Sequence, residues 1–315
     1  MRVVLLHNPT AGDERHTGDE LIHEFWRAGH DVTYRAKHED WKEALDDSAD
    51  VVVVAGGDGT IRQVAIELAE RGIGHDLPMA ILPVGTANNL AQALGVSGGV
   101  EILANGLADA EVKRLAVGIA EAPWGEVRFV ESMGIGAFAA MLRERHLAKK
   151  KFLKRAPFPR RRREHGRDAA IESGLVHLRR TLEVIAPLHL QMEADGRDLT
   201  GNYLLVEAMN TPSIGPCVDL APMAQSGDAW LDLVLVRPGD RDQMNAYLAD
   251  QMCHERSAPP ITPMPVRRLR MSWPPTVGHV DDRPWPTRAK HKLHSEQAEV
   301  TLMIDRLLPV LVVRP

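Results

Sequence analysis

"VVVVAGGDGTIRQVAIELAE" (residues 51–70) joins an unbroken apolar run to a helical repeat through three glycines and a lone carboxylate, Asp58. Residues 51–55 lack the alternation of a half-solvated strand, so they predict a strand buried on both faces, as in a parallel sheet. Ile61, Val64, Ala65, Leu68 and Ala69 share one helical face, and Gly72 supplies the stop. Glycines at the carboxyl end of such a strand let backbone N–H groups approach an anion, and the helix that follows adds the positive end of its dipole. A phosphate cradle and a tight turn capped by Asp58 fit this stretch equally well.

The surrounding segments weigh on that choice. "RVVLLH" (2–7) reads as a strand, followed by "NPTAG" (8–12) and by Leu21, Ile22, Phe25 and Trp26 on one face of a helix that stops at Gly29. "DVTYR" opens a second strand, residues 41–45 fit a short helix, and "MAILP" (79–83) leads into a loop carrying Gly85, Thr86, Asn88 and Asn89. Strands alternating with helices predict a doubly wound α/β domain. In an open parallel sheet, the loops that leave the carboxyl ends of the strands share one edge. The loops at 8–12, 56–60 and 85–89 are therefore expected to converge, which favours the phosphate cradle.

Beyond residue 110 the texture changes. "EVKRLAVGIA", "EVRFVES", "LTGNYLLVEAMN", "AWLDLVLV", "VRRLRMSW", "AEVTLMID" and "LPVLVVRP" predict strands of a larger β-rich, sandwich-like domain. Residues 139–185 differ, being helix-prone on both sides of a basic, proline-interrupted stretch. The expected division is a nucleotide-binding α/β domain over 1–115 and a β-rich domain over 116–315 with a helical, basic insertion. With 38 Lys and Arg against 43 Asp and Glu among 315 residues, the net charge of −5 advertises no nucleic-acid partner. No apolar run nears the ~18 residues of a membrane span. Cys217 and Cys253 have neither CxxC spacing nor a clustered partner, which indicates neither disulfide framework nor zinc site. A cytoplasmic protein is the expectation; the sequence sets no oligomeric state.

"NPTAG", "GGDGTIRQV" and "LPVGTANNLA", in this order and at these separations, resemble the catalytic domain of the diacylglycerol kinase family, which includes bacterial soluble lipid kinases and sphingosine kinases. "VEAMNTPSIGPCVDLAPMAQSGDAWLDLVLV" (206–236) is similar to the family's second-domain segment. The resemblance implies ATP in a cleft between the two domains and a lipid hydroxyl as phosphoryl acceptor. Asn8, Pro9, Thr10, Ala11 and Gly12 would lie beside the nucleotide. Gly56, Gly57, Asp58, Gly59, Thr60, Ile61 and Arg62 would surround its phosphates, with Thr86 and Asn88 completing the wall. A carboxylate among phosphates implies Mg²⁺ to offset the repulsion, or a proton on Asp58.

Three positions depart from the family pattern. A threonine that touches the nucleotide is replaced at about Lys37, whose side chain could reach a phosphate but reads first as a solvated loop residue. "LAPMAQSGDAWLDL" matches a pattern in which an aspartate and nearby carbonyls hold a structural Mg²⁺, so Asp228 would be that ligand, with Gln225 and Trp230 offering carbonyls. Ala229 stands where the family has glycine. In "GHVDDRPWP" (278–286) the family's Asp-Gly-Glu signature reads Asp281, Asp282, Arg283. Asp281 is the expected proton acceptor for the lipid hydroxyl, with Asp282 or Asp58 as substitutes, while Arg283 opens the alternative of a catalytically impaired nucleotide- or lipid-binding protein.

GGDGT alone is shared with NAD kinases, so a soluble-substrate kinase is a further alternative, against which "LPVGTANNLA" speaks. The dense positive charge of residues 143–167 suits a peripheral contact with an anionic membrane, at its inner face. A solvated linker and an RNA contact are the rival readings of that stretch.

Overall fold

The computed structural model describes residues 1–11, 16–45, 48–74, 77–85, 87–155, 167–215, 218–253, 257–286 and 298–314. The chain divides into two units, one made of Met1–Val117, Gln225–Ala229 and Ile304–Pro315, the other of Gly118–Ala224 and Trp230–Met303. The second part of the chain thus returns twice to the first unit, a partition that no contiguous boundary in the sequence describes.

In the first unit, Asp31–Ala36, Arg2–His7, Val51–Gly56 and Met79–Pro83 lie side by side, every pairing parallel. Val310 and Leu311 of the last strand extend the sheet beside Met79 and Ala80. All six residues of Val51–Gly56 are buried, as their lack of alternation predicts. In chain order these four strands run 2-1-3-4, so the sheet reverses direction between Arg2–His7 and Val51–Gly56. Such a reversal opens a crevice at the carboxyl ends of the two strands, and residue 8 and residue 57 are where they end.

Helix Gly18–Arg27 starts on a capping box between Thr17 and Glu20 and buries Leu21 and Phe25 against the sheet. Trp26, expected on the same face, is exposed, because Leu21 and Phe25 at i, i+4 define the stripe and Trp26 lies about 100° round from Phe25. Residues 41–44 form a single 3-10 turn. Helix Asp58–Arg71 ends at Gly72, whose φ of 70° is the left-handed cap that glycine supplies without strain.

In the second unit, Met264–Val266, Leu231–Val236, Leu205–Met209, Ser132–Gly136, Gly278–Val280 and Arg283–Trp285 form an antiparallel sheet in that order. Arg268–Trp273 pairs with Met192–Ala194 on one side and with the first half of the last strand on the other. Helices Ala137–Arg155, Arg167–Val184 and Arg241–Met252 contribute Phe138, Met141, Leu175, Leu178, Met244 and Tyr247 to a core shared with Leu205, Val234 and Val236.

Two local readings need correction. The segments at 298–305 and 308–315 are one continuous strand, Ala298–Val312, running through Pro309. Helix Arg241–Met252 was not anticipated; it buries Met244, Tyr247 and Leu248, a single short i, i+3, i+4 stripe in an otherwise polar segment.

Candidate active site

Three loops meet at the carboxyl edge of the parallel sheet, and backbone contacts hold them together. Asn8 N–H donates to the Ala55 carbonyl at 2.9 Å, and Val84 N–H donates to the Gly56 carbonyl at 3.2 Å. A Cβ on Gly85 would stand 2.3 Å from the Gly57 Cα, so the two loops touch backbone to backbone and Gly85 requires glycine, while a Cβ on Gly57 would press on the Gly85 Cα at 3.0 Å. Asn88, at a φ of 55°, closes its loop by accepting from Gly85 N–H at 2.9 Å and donating to the Gly85 carbonyl at 3.0 Å.

Thr60 sits at the centre. Its Oγ1 accepts from Asn8 Nδ2 and from Lys37 Nζ, each at 3.1 Å. Asn8 Oδ1 in turn accepts from the Thr10 N–H and hydroxyl at 3.3 and 3.0 Å. Lys37 is half-buried, and its own N–H donates to the His7 carbonyl at 2.7 Å. The solvated-loop reading of Lys37 is thereby corrected: one more rung of main-chain pairing after Ala36 brings the side chain back over the sheet edge. Pro9 and Ala11 line the same loop, while Gly12 and Thr86 lie outside the described residues.

Around them, Ile61 and Arg62 are buried in the first turn of the helix, and the N–H groups of Thr60 and Ile61 close that turn on the Gly57 carbonyl. Gly57 caps the helix without a side chain. His7 is held toward its neutral form by burial, reinforced by the neighbouring His16.

Asp58 turns away from the helix that it begins. Its Oδ1 accepts from Leu90 N–H at 3.0 Å, at the start of helix Asn89–Ala93. Burial pushes its carboxyl up, against the opposing pull of the Leu90, Asn89 and Asn88 amides and of Arg62. The carboxylate therefore already ties the second loop to the third.

In the second unit, Asp281 occupies a left-handed turn at φ 51° and is 5% exposed. Its Oδ1 accepts from the N–H groups of Val130, Glu131 and Ser132 at 3.1, 2.7 and 3.2 Å. A carboxylate oxygen gathered into three amides organises the turn that carries it. Asp282 and Arg283 are exposed and face one another at 3.7 Å. Beneath them lies a pair that the motifs did not signal: His279 Nε2 meets Glu207 Oε2 at 2.8 Å, and Nδ1 donates to the Asp281 carbonyl at 2.8 Å. The available clue was Glu207 itself, a solitary carboxylate in the apolar segment "YLLVEAMN".

Of the residues expected at a metal, Asp228 and Gln225 lie in the first unit, on a loop anchored by Ala116 N–H donating to the Ser226 carbonyl at 2.6 Å. Asp228 N–H bonds the Gln225 carbonyl at 3.3 Å. The buried Ser226 hydroxyl on this loop has no hydrogen-bond partner among the described residues. Carboxylate, carbonyl and hydroxyl oxygens are the donor types a hard cation takes; no group of three His, Cys, Asp or Glu side chains that could hold a metal occurs among the described residues. Trp230 belongs to the second unit, where the Arg267 guanidinium lies 4.5 Å from its ring centroid.

Set against known proteins, residues 2–120 match the family model described as diacylglycerol kinase catalytic domain. That match spans the three loops and shows what this part of the chain is similar to. A diacylglycerol kinase of Bacillus subtilis is 26% identical over 250 residues, covering 75% of this chain and 74% of that protein. The protein named probable lipid kinase YegS-like of Alcanivorax borkumensis is 37% identical over 86 residues, 27% of this chain and 26% of its own length. A crystal structure of a diacylglycerol kinase from Bacillus anthracis covers 99% of this chain and 96% of its own, with a TM-score of 0.64 at 19% identity. The fold is thus shared with a diacylglycerol kinase along the chain, and the three loops all fall within the region that the diacylglycerol kinase model matches. Asp228 and Asp281 fall outside it.

Proposed function

We propose that the protein is an ATP- and Mg²⁺-dependent kinase that phosphorylates the hydroxyl of diacylglycerol or a related lipid. The observation that carries this reading is the convergence of the 8–11, 56–60 and 85–88 loops on the Thr60 hydroxyl and the Gly57–Gly85 contact, at the switch point of a 2-1-3-4 parallel sheet. Glycine backbone and the N-terminus of a long helix suit the phosphates of a nucleotide. In the reaction proposed, the lipid oxygen bonds to the terminal phosphorus, the bond to ADP breaks, and the hydroxyl proton passes to a carboxylate. Phosphoryl transfer asks chiefly for positioning and charge neutralisation, so a weak acceptor suffices. Asp281 remains the proposed acceptor, with Asp282 and Asp58 behind it.

Mg²⁺, when bound, would neutralise phosphate charge, and Asp58 is the carboxylate of the three loops suited to face it. At the 225–228 loop, Asp228, the Gln225 carbonyl and the Ser226 hydroxyl would hold a second, structural ion. The basic stretch at 143–167 would bring the protein to an anionic bilayer. Much of it lies outside the described residues; among those described, no helix is long and apolar enough to cross a membrane.

The test is transfer of labelled terminal phosphate from ATP to a panel of lipids in mixed micelles, with and without Mg²⁺. Folded protein that labels no lipid under saturating Mg-ATP overturns the reading. A catalytically impaired nucleotide-binding protein is the second reading, favoured by the engagement of Asp281 with three amides and by Arg283 at the signature's third position. ATP binding without turnover in the same preparation would select it.

A further inference from the structure

We propose that His279, held by Glu207, is a positioning residue for the turn that carries Asp281. The inference rests on the lipid-kinase reading above, in which Asp281 takes the hydroxyl proton, and adds to it the residues that fix where Asp281 stands. Glu207, Gly134 and His279 fall in one register row across three adjacent strands, Leu205–Met209, Ser132–Gly136 and Gly278–Val280. Side chains alternate between the faces along a strand, so residues in one row share a face. Gly134 puts no side chain between its neighbours, and the carboxylate and the imidazole meet across it, Nε2 donating to Oε1 and Oε2 at 2.9 and 2.8 Å. The Phe138 ring stands edge-on to the imidazole, with centroids 4.7 Å apart, and closes a further side.

The other ring nitrogen reaches the turn. Nδ1 donates to the Asp281 carbonyl at 2.8 Å, so both nitrogens face acceptors and both carry hydrogen. Asp281 and Asp282 are the two residues that link Gly278–Val280 to Arg283–Trp285, and a left-handed residue other than glycine persists only where its surroundings fix it. Here the surroundings form one connected set. The Asp281 N–H donates to the Ser132 carbonyl at 2.7 Å, while its carboxylate takes the amides of residues 130–132. Asn210, one residue past the strand that holds Glu207, binds the same segment on its carbonyls, through Nδ2 to Val130 at 2.7 Å and through N–H to Glu131 at 2.8 Å. Strand Leu205–Met209 thus governs both halves, residues 130–132 through Asn210 and the Asp281 turn through Glu207 and His279. Cutting the imidazole link loosens the turn while residues 130–132 stay tied to Asn210, and misplacing a reacting group by about 1 Å can cost roughly 100-fold in rate.

The experiment compares two variants of the full chain, both carrying Glu207→Gln so that neither strands a buried carboxylate. His279→Gln places an amide where Nε2 lies and gives up the bond to the Asp281 carbonyl; His279→Asn places one where Nδ1 lies and keeps that bond. Hydrogen exchange of the Val130, Glu131 and Ser132 amides is followed by NMR and read against the core amides of Leu205–Met209, which report global opening. The kcat and the KM for ATP are measured with the lipid panel in mixed micelles. With His279→Gln, exchange at the three amides is expected about tenfold or more faster than with His279→Asn, and kcat about tenfold or more lower, with the KM for ATP the same in both. A pair that only fills the core would move the two variants alike, so equal exchange and equal kcat would overturn the proposal. Faster exchange with equal kcat would remove His279 from the reaction and overturn it as well. If the variant with Gln at both positions melts below the assay temperature, His279→Gln with Glu207 kept takes its place. A wild type that labels no lipid overturns the kinase reading and with it the catalytic part of the proposal, while the exchange comparison still decides whether His279 holds the turn.

Discussion

Glu207 and His279, both with side chains 0% exposed, are joined at 2.8 Å in the middle of the second unit, and His279 also reaches the Asp281 carbonyl. The Cβ of any residue at 134 would strike the Glu207 carboxyl at 2.4 Å, so Gly134 makes the space that the pair fills. Burial opposes a charged imidazole here, but Glu207 and Asp281 outweigh it and hold His279 above its usual 6.5. The stabilisation is fully present below pH 6.5 and is lost as pH rises through the raised folded value. Thermal melts of the wild type are expected to fall over that window. Glu207→Gln should lose about 3–5 kcal/mol at pH 6, because it strands a buried imidazolium, and should flatten the pH profile. A wild-type melting temperature that climbs from pH 6 to pH 9 would contradict the charged pair.

Gly57 and Gly85 make the second prediction. A methyl on residue 85 stands 2.3 Å from the Gly57 Cα and 2.7 Å from Asn88 Oδ1, and neither loop yields without breaking the other. Gly85→Ala is expected to cost about 1–3 kcal/mol and to weaken ATP about tenfold or more. Gly99→Ala, whose added methyl meets nothing within 4 Å, serves as the matched control and should be near neutral. Equal nucleotide affinity in the two variants would show that the loop contact does not shape the site.

The parallel sheet was legible because a strand buried on both faces has no alternation to hide, and the glycines mark where its strands end. Convergence of the loops followed from that topology alone. Lys37 was misread because whether a residue just past a strand turns to solvent or back over the sheet depends on one main-chain bond, here to the His7 carbonyl. The contact between Glu207 and His279 joins residues 72 apart in sequence and has no periodic signature. The last strand defeated a contiguous domain division because a single extended run, Ala298–Val312, serves both units.

Asp58 combines burial with a carboxyl pushed up by desolvation. Between 3.8 and that raised value, the folded chain holds a proton that the unfolded chain has released, so stability falls as pH rises through the window and stays lower beyond it. Asp58→Asn keeps an acceptor for Leu90 N–H while removing the buried charge. It is expected to melt at or above the wild-type temperature at pH 7 and, if Asp58 serves Mg-ATP, to lower turnover about 100-fold or more. Calorimetry and the lipid assay on the same preparation check both halves. A clear drop in melting temperature would mean that the carboxylate stabilises the free protein.

Metal removal addresses the loop at 225–228. If Asp228 and the Ser226 hydroxyl hold a cation, a chelator should lower the wild-type melting temperature, and added Mg²⁺ should restore it, since a ligand that binds only the folded state stabilises by mass action. Asp228→Ala should begin at the lower temperature and respond to neither treatment. Identical chelator responses in the two proteins would leave the loop's geometry to its backbone bond with Ala116.

Arg283 separates the two readings proposed above, a working lipid kinase and a nucleotide-binding protein without turnover. Its side chain is 61% exposed, and its pairing with Asp282 at 3.7 Å is of the surface kind that contributes little to stability. Arg283→Glu is therefore expected to change stability by less than about 0.5 kcal/mol, which makes any change in turnover interpretable as chemistry. If the arginine has displaced the family's proton acceptor, the glutamate variant should phosphorylate lipid at least about tenfold faster than wild type, within the ~10²–10⁴ that general base catalysis contributes. If Asp281 suffices, the gain should be small, and Asp281→Asn should be the variant that loses activity; a stable Asp281→Asn with undiminished turnover would remove that aspartate from the reaction.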